Sequence, residues 1–246
     1  MLTATSLLLL SLLAPPPAPD SIKTGEDLVR AMHARYAGKW YRSLSFVQRV
    51  IWGDGRPEEE WWEAAIIPGR LRIDMAPVDS GNGVVYRNDT LFRYSKRALA
   101  SSGNQTNWLL VLGFDIYGQP PEKTIEKLRN AKFDLTKLRR DTWEGRPAYV
   151  VGADAGDEKS LQFWVDTERM LFLRLIQSAP NGAVSDIRFT KYEPLGRGWI
   201  APEVVFIRDG KEFMREVYRD MRADPKIGED LFAGPPWKRA AWVPNR

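Results

Sequence analysis

From Leu44 to Met221 the chain is cut into strand-length segments by turn chemistry, and only one stretch in the middle escapes that rhythm. A large antiparallel sheet is the fold that best accepts such a pattern. Gly53-Asp54-Gly55-Arg56-Pro57, Pro68-Gly69 and Asn88-Asp89 separate the expected strands 44–52, 58–67, 71–75, 84–87 and 90–94. Beyond the middle, Glu144-Gly145-Arg146-Pro147, Pro180-Asn181-Gly182 and Arg208-Asp209-Gly210 help to divide seven more, at 135–140, 148–153, 161–165, 171–177, 184–192, 200–207 and 213–221. Ahead of the sheet, Thr24 and Asp27 form a capping arrangement. Leu28, Met32, Tyr36 and Trp40 recur at helical spacing behind it, with Gly38 near the stop. The exceptional middle reads as two short helices, at 107–114 and 121–131, where Ile125 and Leu128 keep a helical interval.

A sheet with solvent on one side should alternate apolar and polar residues cleanly, and several of these strands do not. Trp61-Trp62, 161–165 and 170–176 are apolar on both faces, in a chain with 10 Trp, 8 Tyr and 10 Phe. Most of these rings fill a core. The surplus is expected to line an apolar cavity, where chains of methylene groups bind by buried area alone at ~25 cal/mol per Å².

The residues argue against common chemistries. There is no Cys and one His, and no Gly-x-Ser-x-Gly, His-Glu-x-x-His, Walker or dinucleotide fingerprint occurs, so no enzyme activity, cofactor or metal is expected. His33 reads as a structural residue of the first helix. Glu58, Glu59, Glu60 and Glu63 around Trp61 and Trp62 are the nearest approach to a glycan-cleaving pair. Their plainer reading is a charged strand face that discourages edge pairing. Lys and Arg alternate with Asp and Glu at a net charge of +4, without the basic stripe that a nucleic acid needs. Leu7 to Leu13, followed by Ala14, three prolines and Ala18, is too short to span a bilayer. Residues 1–19 are expected to be a signal peptide and Pro-rich tether, or an uncleaved anchor, exporting residues 20–246 to a periplasm as a single domain.

In order and spacing the chain resembles the LolA/LolB-like superfamily of periplasmic lipoprotein carriers, which also includes the RseB-type stress regulators. The resemblance runs over 25–236. It rests on Ser45-Phe46-Val47-Gln48 after the first helix, Ile67-Pro68-Gly69-Arg70-Leu71-Arg72, Tyr86-Arg87-Asn88-Asp89-Thr90-Leu91, and Phe163-Trp164-Val165-Asp166 followed by Leu171 to Arg174. It implies a mainly β (α+β) fold: a single incomplete antiparallel β-barrel of about eleven strands, its concave face covered by the N-terminal helix and the central helical insert. Acyl chains of a lipoprotein or lipid would lie between, taken from an inner-membrane donor complex and passed to an outer-membrane acceptor by a monomer. The expected cavity lining is Phe46, Trp62, Leu91, Phe92, Trp108, Leu112, Phe114, Phe163 and Leu173. Many carriers have a basic residue, an Arg thought to hold the lid, before the Pro-Gly or Pro-Asn turn. Ile67 stands there in this chain, and Arg70 and Arg72 are the substitutes the sequence offers for lid contacts. Two other readings stay open: an RseB-like lipid-sensing regulator or scaffold, and a Trp-lined glycan-binding or glycan-cleaving protein.

Overall fold

Thr24 begins the first ordered element as the capping arrangement predicts. Its hydroxyl accepts from the Asp27 amide at 3.1 Å, and the Asp27 carboxylate accepts from the Thr24 amide at 3.0 Å. Helix α1 (Gly25–Tyr36) follows, burying Leu28, Val29 and Met32. The chain then turns through Gly38, at φ +68°, a left-handed conformation that glycine adopts without strain. Trp40 therefore lies beyond the helix and packs back on Tyr36 with ring centroids 5.0 Å apart. The computed structural model describes residues 22–234, 237, 238 and 240; the expected signal peptide and tether at 1–19 lie outside them.

Six strands form a meander: β1 (Ser43–Trp52), β2 (Glu59–Ile66), β3 (Arg70–Met75), β4 (Gly83–Arg87), β5 (Thr90–Ser95) and β6 (Ala98–Asn104). The insert follows as α2 (Trp108–Leu110), a wider π turn (Val111–Asp115), α3 (Ile116–Gly118) and α4 (Pro121–Asn130). The chain continues through β7 (Leu138–Trp143), β8 (Arg146–Val151), β9 (Gln162–Asp166), β10 (Phe172–Ser178) and β11 (Val184–Thr190). A small ribbon of β12 (Glu193–Leu195) and β13 (Gly198–Ile200) precedes β14 (Glu203–Arg208) and β15 (Lys211–Ala223).

Thirteen strands make one antiparallel sheet in the order β6-β5-β4-β3-β2-β1-β15-β14-β11-β10-β9-β8-β7. It is an open barrel with a helical insert, as expected, and not a closed one. The twelve segments marked by turn chemistry all join this sheet, against about eleven strands implied by the resemblance; the thirteenth is β6, an exposed edge strand, Ala-Leu-Ala-Ser-Ser-Gly-Asn, with no apolar period to announce it. Register shifts between Ser45 and Val47, Arg93 and Tyr94, Phe172 and Arg174, and Phe206 and Ile207 supply the bulges that bend such a sheet.

The topology positions the insert. β6 and β7 are the two free edges, and they are consecutive strands, so the segment joining them crosses from one rim to the other. The main core lies between this crossing, α1 and the concave face, where Leu28, Met32, Tyr117, Leu128, Phe163 and Phe172 meet. The convex face is also covered. On β2–β5 a second cluster of Ala64, Val85, Tyr94, Phe232 and Trp237 packs the C-terminal segment against the sheet. On β8–β10 a third gathers Ala148, Val150, Trp164 and Leu173. The two-sided apolar strands are explained by these coverings as well as by the concave core.

Candidate functional site

Period-two alternation sends Leu44 and Phe46 of β1, Glu63 and Ala65 of β2, and Leu71 and Ile73 of β3 to the concave face. Phe189 of β11 and Glu216 and Tyr218 of β15 join them across the floor, and Asn107, Leu109, Leu110 and Phe114 of the insert form the roof. These side chains line a cavity of about 80 Å³. The insert side chains occupy part of this basin, and the space that remains between them and the sheet is small and only partly enclosed.

Of the residues expected to line a cavity, Phe46 and Phe114 do so. Leu91 shares the concave row of Leu71 and Tyr86 but stands outside the lining. Leu112 and Phe163 are fully buried core residues, and Trp108 packs edge-on against Phe133 at 5.2 Å. Trp62, Phe92 and Leu173 are corrected to the convex face: Trp62 packs on Ala240, Phe92 on the C-terminal cluster, and Leu173 with Trp164. Adjacent aromatic residues in a strand must face opposite ways, so Trp61 and Trp62 could not both point inward. Sequence reasoning does not reach Leu44, Glu63, Ala65, Leu71, Ile73, Phe189, Glu216 and Tyr218 of the strands, or Asn107, Leu109 and Leu110 of the roof. Extending the inward face of Phe46 across the register to Glu63 and Ile73, and by period two to Ala65 and Leu71, is the signal that finds four of them.

The acidic cluster does not form a groove. Glu59 accepts from the indoles of Trp52 and Trp61 at 3.2 and 2.9 Å, Glu60 pairs with Arg219 at 2.5 Å, and Glu58 pairs with Arg49 at 3.6 Å. Glu63 alone turns into the cavity.

Arg70 and Arg72 are not lid contacts. They alternate with Leu71 and Ile73 and so emerge on the convex side, Arg70 toward Glu229 at 3.3 Å and Arg72 beneath the C-terminal segment. The insert is held instead by Asp115, whose Oδ1 accepts from the Gly69 amide at 3.0 Å in the turn that follows Ile67. Ile67 itself packs against Gly118, and Lys127 pairs with Asp89 at 2.6 Å. Asn107 caps the start of the roof by accepting from the amides of Leu109 and Leu110, both at 3.1 Å.

Burial pushes the Asp115 carboxyl up to about 7, with the Asp89 charge adding to the rise and the Gly69 amide and Lys127 opposing it; its Oδ2 has no partner among the described residues. The folded state then holds a proton that the unfolded chain releases near the ordinary carboxylate value. Asp115 thus lowers stability as pH rises from about 4 to about 7. Asp115→Asn keeps the acceptor for Gly69 and removes the charge. It should gain ~2–4 kcal/mol relative to the parent between pH 4.5 and pH 8, read from urea midpoints at the two pH values. A constant difference at both would show that Asp115 does not titrate there.

No family model matches the chain, and no curated protein does. Solved structures do. An outer membrane lipoprotein-sorting protein domain from Vibrio parahaemolyticus superposes with a TM-score of 0.57 at 13% identity, over 85% of this chain and 95% of that one. A DUF1329 family protein from Desulfovibrio piger gives 0.55 at 14% identity, over 85% and 95%. A LolA superfamily protein from Nitrosomonas europaea gives 0.54 at 10% identity, over 86% and 98%. Together with the open sheet and the insert that crosses its mouth, these likenesses show that the chain has a LolA-like fold.

Proposed function

We propose that this protein is an exported, periplasmic carrier that takes acyl chains of a lipoprotein or lipid into the space beneath its insert and hands them on. It works as a monomer, without cofactor or covalent chemistry, between a donor at the inner membrane and an acceptor at the outer. The observation that carries the reading is the construction of the roof. Leu109, Leu110 and Phe114 occupy an apolar basin and belong to a segment anchored at both rims. Moving that segment aside exchanges its own apolar side chains for those of a guest, so uptake and release lie close in free energy, as transfer requires. The lipoprotein-sorting description of the Vibrio domain supports the same reading.

Native mass spectrometry of protein purified from its own envelope, before and after organic extraction, tests it. Copurifying acyl species that vanish on extraction are expected. Repeated absence of lipid, together with no uptake of an uncharged alkyl probe, would remove the carrier reading.

A further inference from the structure

The cavity is not purely apolar, and its polar part is arranged around one point on the sheet. Across β15, β1 and β2 the concave rows read Glu216–Val50–Glu59, then Tyr218–Gln48–Trp61, then Phe46–Glu63. Gln48 is thus central on the sheet, with Glu216 and Glu63 at diagonal positions on either side of it, and the two acids both line the cavity. Glu63 is 5% exposed and, among the described residues, forms no ion pair or hydrogen bond. Glu216 accepts from the Tyr218 hydroxyl at 2.9 Å and is also stabilised by the neighbouring Gln48 amide. Gln48 is fully buried beside Glu216; its amide approaches that carboxyl closely enough to lower its pKa but completes no well-formed hydrogen bond, and its Oε1 has no donor among the described residues. Buried polar groups left in this state are rare, because each costs free energy that a partner would recover.

What is missing is a donor-rich cation. An ammonium group has three donors and no acceptor, which suits two carboxylates and an amide oxygen, and the ring of Tyr218, tilted against Phe46 with centroids 4.2 Å apart, lines the same cavity. A carboxylate guest would be repelled by both acids, and a hydroxyl would satisfy one of them. We infer that the cargo is an amphiphile carrying a protonated amine at the buried end of its chain, held between Glu63 and Glu216 beside Gln48. The inference rests on the carrier reading and narrows its cargo class. Burial raises both acids, Glu63 further through the Glu216 charge and Glu216 to about 7 against the lowering by Tyr218 and Gln48, and a cation between them favours their charged forms. Tyr86 of β4 also feels the Glu63 charge, with Arg93 acting in the opposite sense.

Dodecylamine, dodecanol and dodecanoate, matched in chain length and kept below micellar concentration at pH 8, separate the possibilities by calorimetric titration. The amine should bind about tenfold or more tighter than the alcohol, and dodecanoate weakest. Glu63→Gln and Glu216→Gln should each remove most of the amine's advantage and leave dodecanol unchanged, with thermal melts showing both variants folded. Equal binding of amine and alcohol to the parent, or an amine preference that survives in both variants, would overturn the inference while leaving the carrier reading intact. Failure of all three chains to bind would remove the carrier reading itself, and this inference with it.

Discussion

Replacing Arg72 with Ala should lower the unfolding free energy by about 3–5 kcal/mol, the cost of leaving a buried charge without its partner. The Arg72 and Asp74 side chains are 1% and 2% exposed and form a two-pronged pair at 2.9 and 2.8 Å. The guanidinium also donates to the Leu231 carbonyl at 3.2 Å and to that of Lys238, and it lies 3.8 Å from the centroid of the Trp237 ring. One side chain therefore joins the convex face of β3 to the C-terminal segment. The melting temperature should fall by roughly 6–20 °C at ~2–4 °C per kcal/mol for a chain of this size. Lys in place of Arg recovers little, because an ammonium cannot match the fork or the ring face. Removing both charges, as in Arg72→Met with Asp74→Leu, should be less damaging than Arg72→Ala alone, since no orphaned carboxylate remains. A loss under 1 kcal/mol for Arg72→Ala would show that the C-terminal segment does not depend on this clamp.

Gly113→Leu should open the roof. Gly113 lies in the π turn, and a Cβ built there would stand 2.7 Å from Phe189 Cε2, closer than side chains approach. Phe189 cannot easily retreat. It is 3% exposed and sits between Phe114 and Phe172, with ring centroids 6.3 and 5.0 Å away. The strain of such overpacking is about 1–3 kcal/mol, and displacing the insert relieves it, shifting the open population by roughly 5- to 150-fold. Amide hydrogen exchange should accelerate over 108–118 by that factor, while the strands keep their protection. An uncharged alkyl probe should enter faster to match. Acceleration spread equally over the sheet would mean global destabilisation and would count against a separately moving roof.

Much of the architecture was legible because its signals are local. Turn residues at 53–57, 88–89 and 208–210 cut the strands, and Thr24 with Asp27 announced α1. The site was harder to read because lining a cavity depends on which face of a strand points inward, and period two gives only the alternation. Phe46 was placed inward and Trp62 wrongly so, although register pairs Phe46 with Glu63. An apolar surplus does not by itself signal a cavity: Trp164 and Leu173 pack together on the convex face, and Trp237 covers Arg72. Glu63 read as a solvated strand residue because its neighbours Glu58, Glu59 and Glu60 are acidic too, and nothing local distinguishes the one that lines the cavity. Asp115 escaped notice because its partner is the backbone amide of Gly69, 46 residues away, which leaves no mark on side-chain pattern.

Photolabelling with a diazirine-bearing long-chain alcohol, uncharged so that the acid pair does not bias it, tests the account most directly. Saturable label should appear in peptides carrying Leu44 and Phe46, Leu71 and Ile73, and Leu109 to Phe114, and be competed away by unlabelled chain. Label confined to the convex face around Trp164 or Trp237, or no saturable label at all, would contradict a chain-binding space beneath the insert.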